Sequence, residues 1–188
     1  MSFYQVRKQE LFPESPMVLQ ERFEEYRRHI GFTDLDLASR AMAVLWLDTF
    51  RARVMRSCFP HVASDNLRQE VEEIINSTFL EGYVLARAAA ESGTGGVILS
   101  DPDIPGSVEE GLDRLRLMYE EEAMGEEPFS GEPLGVESLT QSLVREIVYG
   151  PRMVWLEERE LLKAHLLYAL WAGYKLAHFE RRLSGESN

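Results

Sequence analysis

The stretch LLKAHLLYALWAGYKLAHF, residues 161–179, decides the fold class, because it is apolar around most of the circumference of a helix. Such a helix either lies centrally with other helices around it or lies at a subunit interface. Four of its side chains are costly to place in a bilayer: Lys163, His165, Lys175 and His178. We therefore interpret the stretch as a buried helix of a globular protein and not as a membrane span.

Glycine, proline and capping residues divide the chain into six predicted helices and leave no convincing strand. The last helix is predicted to begin at Pro151 and to run to about Leu183. The second opens at Thr33, where Asp36 completes a pair that resembles a capping box. The other predicted helices cover residues 16–30, 65–91, 107–125 and 138–149. The predicted fold class is all-α, a compact bundle of about six helices around a long central C-terminal helix.

A chain of 188 residues with 45% hydrophobic residues is long enough for one well-packed core. We therefore predict a single helical domain over residues 1–188. Polar or Gly/Pro-rich stretches predict an N-terminal arm, two loops and a frayed tail, at residues 1–14, 93–106, 125–137 and 184–188.

Two short segments of the chain echo each other. Gly82–Ala86 reads GYVLA and Gly173–Ala177 reads GYKLA, and each segment lies late in a predicted long helix. A duplicated unit of three helices would explain the match, and so would chance among common residues. In either case a glycine beside a tyrosine predicts a close helix crossing.

The charge of the chain is concentrated in one segment. There are 32 acidic and 20 basic residues, for a net charge of −12, which disfavours nucleic acid and anionic membrane surfaces as partners. Residues 101–137 hold twelve acids and two bases, or −10 of that total. The plain interpretation is a solvated face that keeps the protein soluble. The alternative is a docking segment for a basic protein surface, with these candidate contact residues: Glu120, Glu121, Glu122, Glu126 and Glu127.

The residues with metal-binding or nucleophilic side chains are few and scattered. Cys58 is the single cysteine, which excludes an internal disulfide and suggests a reducing, cytoplasmic location. Cys58 and His61 lie close together in the sequence, but a zinc site needs two further ligands and no second cluster follows. We expect neither a metal nor a cofactor.

Arg159 and His165 are the candidate catalytic residues. Their spacing resembles the Arg-x4–6-His motif of helical HEPN-type ribonucleases, in which the arginine grips phosphate and the histidine performs acid–base chemistry. Alternatively, His165, Tyr168 and Trp171 surround a small ligand. The simpler interpretation of His165 is a core or interface histidine that bonds a neighbouring carbonyl group.

The sequence therefore favours a non-enzymatic interaction or assembly protein with an acidic docking segment over residues 101–137. A homo-oligomer is expected to form through the sixth helix. The alternative is a helical enzyme or a small-ligand pocket protein, including the HEPN-like ribonuclease.

Overall fold

The structure is a computed structural model, and it describes residues 16–61, 64–91, 110, 113, 128–129, 134–153 and 157–183. Among these residues there is no strand, and the all-α fold class is confirmed. Within the described residues the structure gives the bounds of five α-helices: α1 (Pro16–His29), α2 (Leu37–Cys58), α3 (Asp65–Glu91), α4 (Leu134–Tyr149) and α5 (Arg159–Leu183). The count of six is not confirmed, because the predicted helix over residues 107–125 lies outside the described residues except for Glu110 and Asp113.

Helix α2 begins later than the sequence prediction. Thr33 belongs to a short 3-10 turn, Phe32–Asp34, in which the Gly31 N–H donates to the Asp34 carboxylate at 2.6 Å. Asp36 has the extended backbone of an N-cap, and its carboxylate accepts from the Ser39 N–H at 2.7 Å. Two capping signals three residues apart competed, and the second one starts the helix.

The prediction that the last helix begins at Pro151 is wrong. Pro151–Met153 is a 3-10 turn, closed by a bond from the Met153 N–H to the Gly150 carbonyl, and the chain bends at Glu157. Helix α5 therefore has 25 residues and a length of about 37 Å. Its neighbour α4 begins at Leu134, earlier than predicted, so the end of the predicted loop 125–137 is helical.

The core is built around α5. Most of its apolar side chains are buried within the single chain, against α3, α4 and α2. Helix α5 thus takes the central position, the first of the two alternatives that its apolar circumference allowed. This burial removes the reason for expecting a subunit interface on α5, and the oligomeric state stays a prediction.

Helices α3 and α5 cross at the two glycines of the sequence echo, as the sequence predicts. A Cβ atom on Gly82 would lie 1.8 Å from the Leu170 carbonyl oxygen, and one on Gly173 would lie 1.9 Å from the Phe79 carbonyl oxygen. Each glycine faces the residue that precedes the other glycine by three positions. Close packing of the two helices therefore explains why both segments contain a glycine at this position. Descent of the two halves of the chain from one duplicated unit remains a prediction.

Among the described residues no helix is long and apolar enough to cross a membrane. The predicted arm 1–14, loop 93–106 and tail 184–188 lie outside the described residues, as does most of loop 125–137.

Candidate functional site

His165 lies in the core, where 2% of its surface is exposed. Its ring meets the Phe50 ring edge to face, with 6.2 Å between centroids. Neither ring nitrogen has a hydrogen-bond partner in the described part of the chain, so the expected bond to a carbonyl group is not found there. Burial, and secondly the positive charge of Arg53, lowers the pKa of His165 to about 4. This histidine is therefore neutral at pH 7.

The two residues of the HEPN-like spacing do not come together. Arg159 is the first residue of α5, and its guanidinium lies 5.4 Å from the centre of the Tyr149 ring. His165 follows six residues later, which places it about 120° away around the helix axis. A catalytic pair needs both groups at one accessible site, and here one side chain is enclosed in the core.

Tyr168 and Trp171 are half-buried on α5. Trp171 stacks on Tyr174 at 5.7 Å between ring centroids, and the Lys175 ammonium lies 4.6 Å from the centre of the Trp171 rings. Neither these side chains nor His165 line the two interhelical cavities described below. The predicted pocket around the three residues stays a prediction.

The candidate docking residues Glu120–Glu122, Glu126 and Glu127 lie outside the described residues. Cys58 is buried, and burial raises the pKa of its thiol to about 11. The described residues contain no group of three or more His, Cys, Asp or Glu side chains that could hold a metal ion.

Helix α2 carries apolar side chains on its outer face as well as on its core face. Leu37 is 82% exposed, Val44 49% and Leu45 56%. Together with the exposed Ala41, they fall on one face at helical spacing, and we call these four residues the α2 strip. The opposite side of the helix packs into the core through residues such as Met42 and Leu47.

A polar cavity of about 330 Å³ opens between the C-terminal halves of α3 and α5 and the start of α2. We call it the Tyr83 cavity. Helix α3 supplies residues at helical spacing on one face, and α5 does the same. The lining residues are Asp36, Tyr83, Arg87, Ala90, Glu91, Ala177, Glu180 and Arg181.

A buried tyrosine and a glutamate form the floor of this cavity. The Tyr83 hydroxyl donates to Glu180 Oε1 at 2.8 Å. Burial, and then the bond to Glu180, raises the pKa of Tyr83, so the phenol keeps its proton. Glu180 Oε2 is enclosed and has no hydrogen-bond partner among the described residues. The Arg87 guanidinium lies over the Tyr83 ring, 5.9 Å from its centre.

A second buried carboxylate belongs to Glu81 of α3. It pairs with the Arg27 guanidinium of α1 at 2.7 Å. Burial raises the pKa of Glu81, and the pairing with Arg27 offsets part of that effect. Glu146 of α4 also lines the adjoining cavity of about 230 Å³. Sequence reasoning missed this pair, although an acidic residue between the apolar positions 80 and 84 of α3 was a visible signal.

Comparison with protein-family models, curated proteins and solved structures found no match for this chain.

Proposed function

We propose that this protein is a non-enzymatic helical interaction protein, which binds a partner protein and does not transform a substrate. The α2 strip is the observation that carries the proposal. Three large apolar side chains, Leu37, Val44 and Leu45, stand exposed on a helix whose other face already lies in the core. Grouped exposed apolar side chains mark interaction sites on globular proteins.

The distribution of charge favours a basic partner. Residues 101–137 hold −10 of the total charge of −12. Complementary charge speeds association and selects among partners, while apolar contact supplies most of the affinity. The partner that fits both features is a protein that has an apolar contact surface and a surface rich in lysine and arginine.

The alternative function, a helical enzyme or small-ligand protein that uses His165, has less support. A general acid or base must reach the substrate within hydrogen-bonding distance. The side chain of His165 is enclosed and uncharged at pH 7. A ribonuclease would lose RNA cleavage in His165→Ala while it stayed folded, so that variant separates the two functions.

The test begins with capture of a partner from an extract of the source cells on immobilised wild-type protein. The retained protein is then purified, and its affinity is measured by calorimetry at low and high salt. Leu45→Asp in the α2 strip and Glu120→Lys combined with Glu122→Lys should each weaken binding about tenfold or more. High salt should weaken it too, because screening acts on the charged part of the contact.

Matched controls keep the result specific. Thr49→Asp introduces the same charge one turn beyond Leu45, and Glu21→Lys with Glu25→Lys makes the same change of net charge on α1. Both controls should bind as the wild type does. If the strip and the acidic segment can be altered without effect on affinity, or if salt has no effect, the proposal fails. Native mass spectrometry of the purified protein tests the predicted homo-oligomer separately.

A further inference from the structure

The outer face of α2 carries small or apolar side chains beyond the α2 strip itself. Ala52 is exposed and lies seven residues, or about two turns, after Leu45, so it falls in line with the strip. Leu37 lies seven residues before Val44 at the other end. The core side of the same helix is already packed against its own chain. An outer face of this kind along most of a helix suits contact with a second helix beside it.

The two ends of this outer face carry opposite charges. Asp34 is exposed in the turn that precedes α2, and Arg56 is exposed in the last turn of the helix. A second copy of α2 that runs in the opposite direction brings the acidic end of one helix beside the basic end of the other. A two-fold axis repeats that match at both ends of the contact. A parallel pair would instead place like charges together, which is unfavourable.

One register of an antiparallel pair matches the apolar and the charged residues at once. Its centre is the contact of Val44 in one copy with Leu45 in the other. Leu37 and Ala52 then meet, because each lies seven residues from that centre. The charged side chains of the two ends lie ten and eleven residues from it, so they meet as well. The same register therefore sets apolar against apolar and acid against base.

Asp48 lies on the outer face between these matched ends, and the register accommodates it. It pairs with the Arg51 guanidinium of its own helix at 2.5 Å, and 65% of its side chain is exposed. It falls opposite Ala41 of the second copy, whose small side chain leaves room for it. The ion pair thus stays in contact with water at the rim, where it has little effect on affinity.

We propose that a second copy of this chain binds the α2 strip, in a symmetric dimer with antiparallel α2 helices. The inference rests on the proposed function, because the second copy and the partner protein use the same strip. A standard protein interface has about 20–30 residues on each side, and one helix face supplies far fewer. We therefore expect a weak dimer, with a Kd of about 10–100 μM, that leaves the strip available to a tighter partner.

The experiment is sedimentation equilibrium of the purified full chain, without a partner, from about 1 μM to about 500 μM. The wild type should pass from monomer to dimer over this range. Leu45→Asp places a charge beside the centre of the contact in each copy, and it should weaken the dimer about tenfold or more. Ser142→Asp adds the same charge at an exposed position of α4 and should dimerise as the wild type does. Circular dichroism checks that each variant is folded.

A charge exchange tests the antiparallel direction. Arg56→Glu and Asp34→Lys should each weaken the dimer about threefold or more at low salt, because each sets like charges together at both ends. The double variant restores opposite charges and should recover most of the lost affinity. The two single variants change the net charge in opposite directions, so a general effect of net charge cannot weaken both.

A chain that stays monomeric up to about 500 μM overturns the proposal. It is also overturned if folded Leu45→Asp dimerises like the wild type, which would place the contact elsewhere, or if the charge reversals have no effect, as in a parallel pair. These outcomes leave the proposed function standing, because partner binding is measured at concentrations below those of the dimer. A dimer that behaves as expected supports the inference even where no partner binds the strip.

Discussion

Replacement of Gly82 by alanine should strongly destabilise the protein, although alanine is the better helix former. The added Cβ would lie 1.8 Å from the Leu170 carbonyl oxygen and 2.7 Å from its carbonyl carbon. Ordinary contacts between carbon and oxygen are about 3.3 Å, so α3 and α5 must separate by about 1.5 Å. The obstacle is the backbone of a buried helix, which cannot rotate away as a side chain would.

The magnitude follows from two opposing terms. Alanine favours an isolated helix over glycine by about 1 kcal/mol. Forcing an extra carbon into a packed core costs about 1–3 kcal/mol and sometimes more. A gap of 0.5–1 Å already forfeits about a quarter to a half of the dispersion attraction between the atoms concerned. Here the backbones of the whole central helix pair must move apart, so we expect the packing cost to exceed that range and to reach about 4–5 kcal/mol. The net loss is then about 3–4 kcal/mol, a large share of a typical stability of about 5–15 kcal/mol.

Urea unfolding, followed by circular dichroism, measures this loss. Gly173→Ala should cost about the same, because its Cβ would lie 1.9 Å from the Phe79 carbonyl oxygen. The double variant should lose clearly less than the sum, since helices already separated by one methyl group accept the second more easily. Gly31→Ala is the control, because its nearest non-neighbour atom would be 3.8 Å away, and it should change stability by less than about 0.5 kcal/mol. Wild-type stability in Gly82→Ala, or strict additivity of the pair, would refute the reasoning.

Three further predictions concern buried ionisable groups. His165→Leu should raise stability at pH 7 by about 1–3 kcal/mol in urea unfolding, because it removes two enclosed ring nitrogens without partners, and a loss of stability would count against that account. The folded-state pKa values of His165 and His178 are lowered from the ordinary value of 6.5 to about 4. The contribution of each neutral histidine to the free energy of unfolding is therefore fully present above pH 6.5, and it is lost as the pH drops towards 4. The loss amounts to up to about 3 kcal/mol for each group. Unfolding at a series of pH values should show this slope, reduced in His165→Leu. The pH dependence that arises from Glu81 has the opposite sign. Its folded-state pKa is raised, so its contribution makes the free energy of unfolding fall as the pH rises above 4.5. Urea unfolding of Glu81→Gln at the same series of pH values should lack this fall.

The helix boundaries that the sequence predicted well are those with a single clear signal. Helix α1 ends two residues before Gly31, and α3 begins directly after Ser64, both as expected. The predictions failed where two signals competed. Thr33 and Asp36 both suit an N-cap, and Pro151 suits the first turn of a 3-10 helix as well as that of an α-helix. Local residue types do not decide between such options, because packing of the following turns does.

The candidate site was less predictable than the fold. Tyr83 and Glu180 are 97 residues apart in sequence, and neither belongs to a motif. His165 was a candidate catalytic residue because it is chemically versatile and lies on an apolar helix, but its side chain is enclosed in the core. The useful signal was the match between the segments GYVLA and GYKLA. Their glycines, Gly82 and Gly173, mark the crossing of α3 and α5, and Tyr83 of the cavity directly follows Gly82. Residues that permit close packing were therefore a better guide to the site than residues that suit catalysis.

The crossing of α3 and α5 connects the stability of the fold to the geometry of the Tyr83 cavity. Tyr83 directly follows Gly82, and Glu180 lies seven residues, or about two helical turns, after Gly173. The close approach of the two glycines therefore sets the distance across which the Tyr83 hydroxyl meets Glu180. Beyond that point the small side chains of Ala90 and Ala177 line the Tyr83 cavity. Gly82→Ala, which must move α3 and α5 apart, should therefore disturb the Tyr83–Glu180 hydrogen bond as well as the packing of the core.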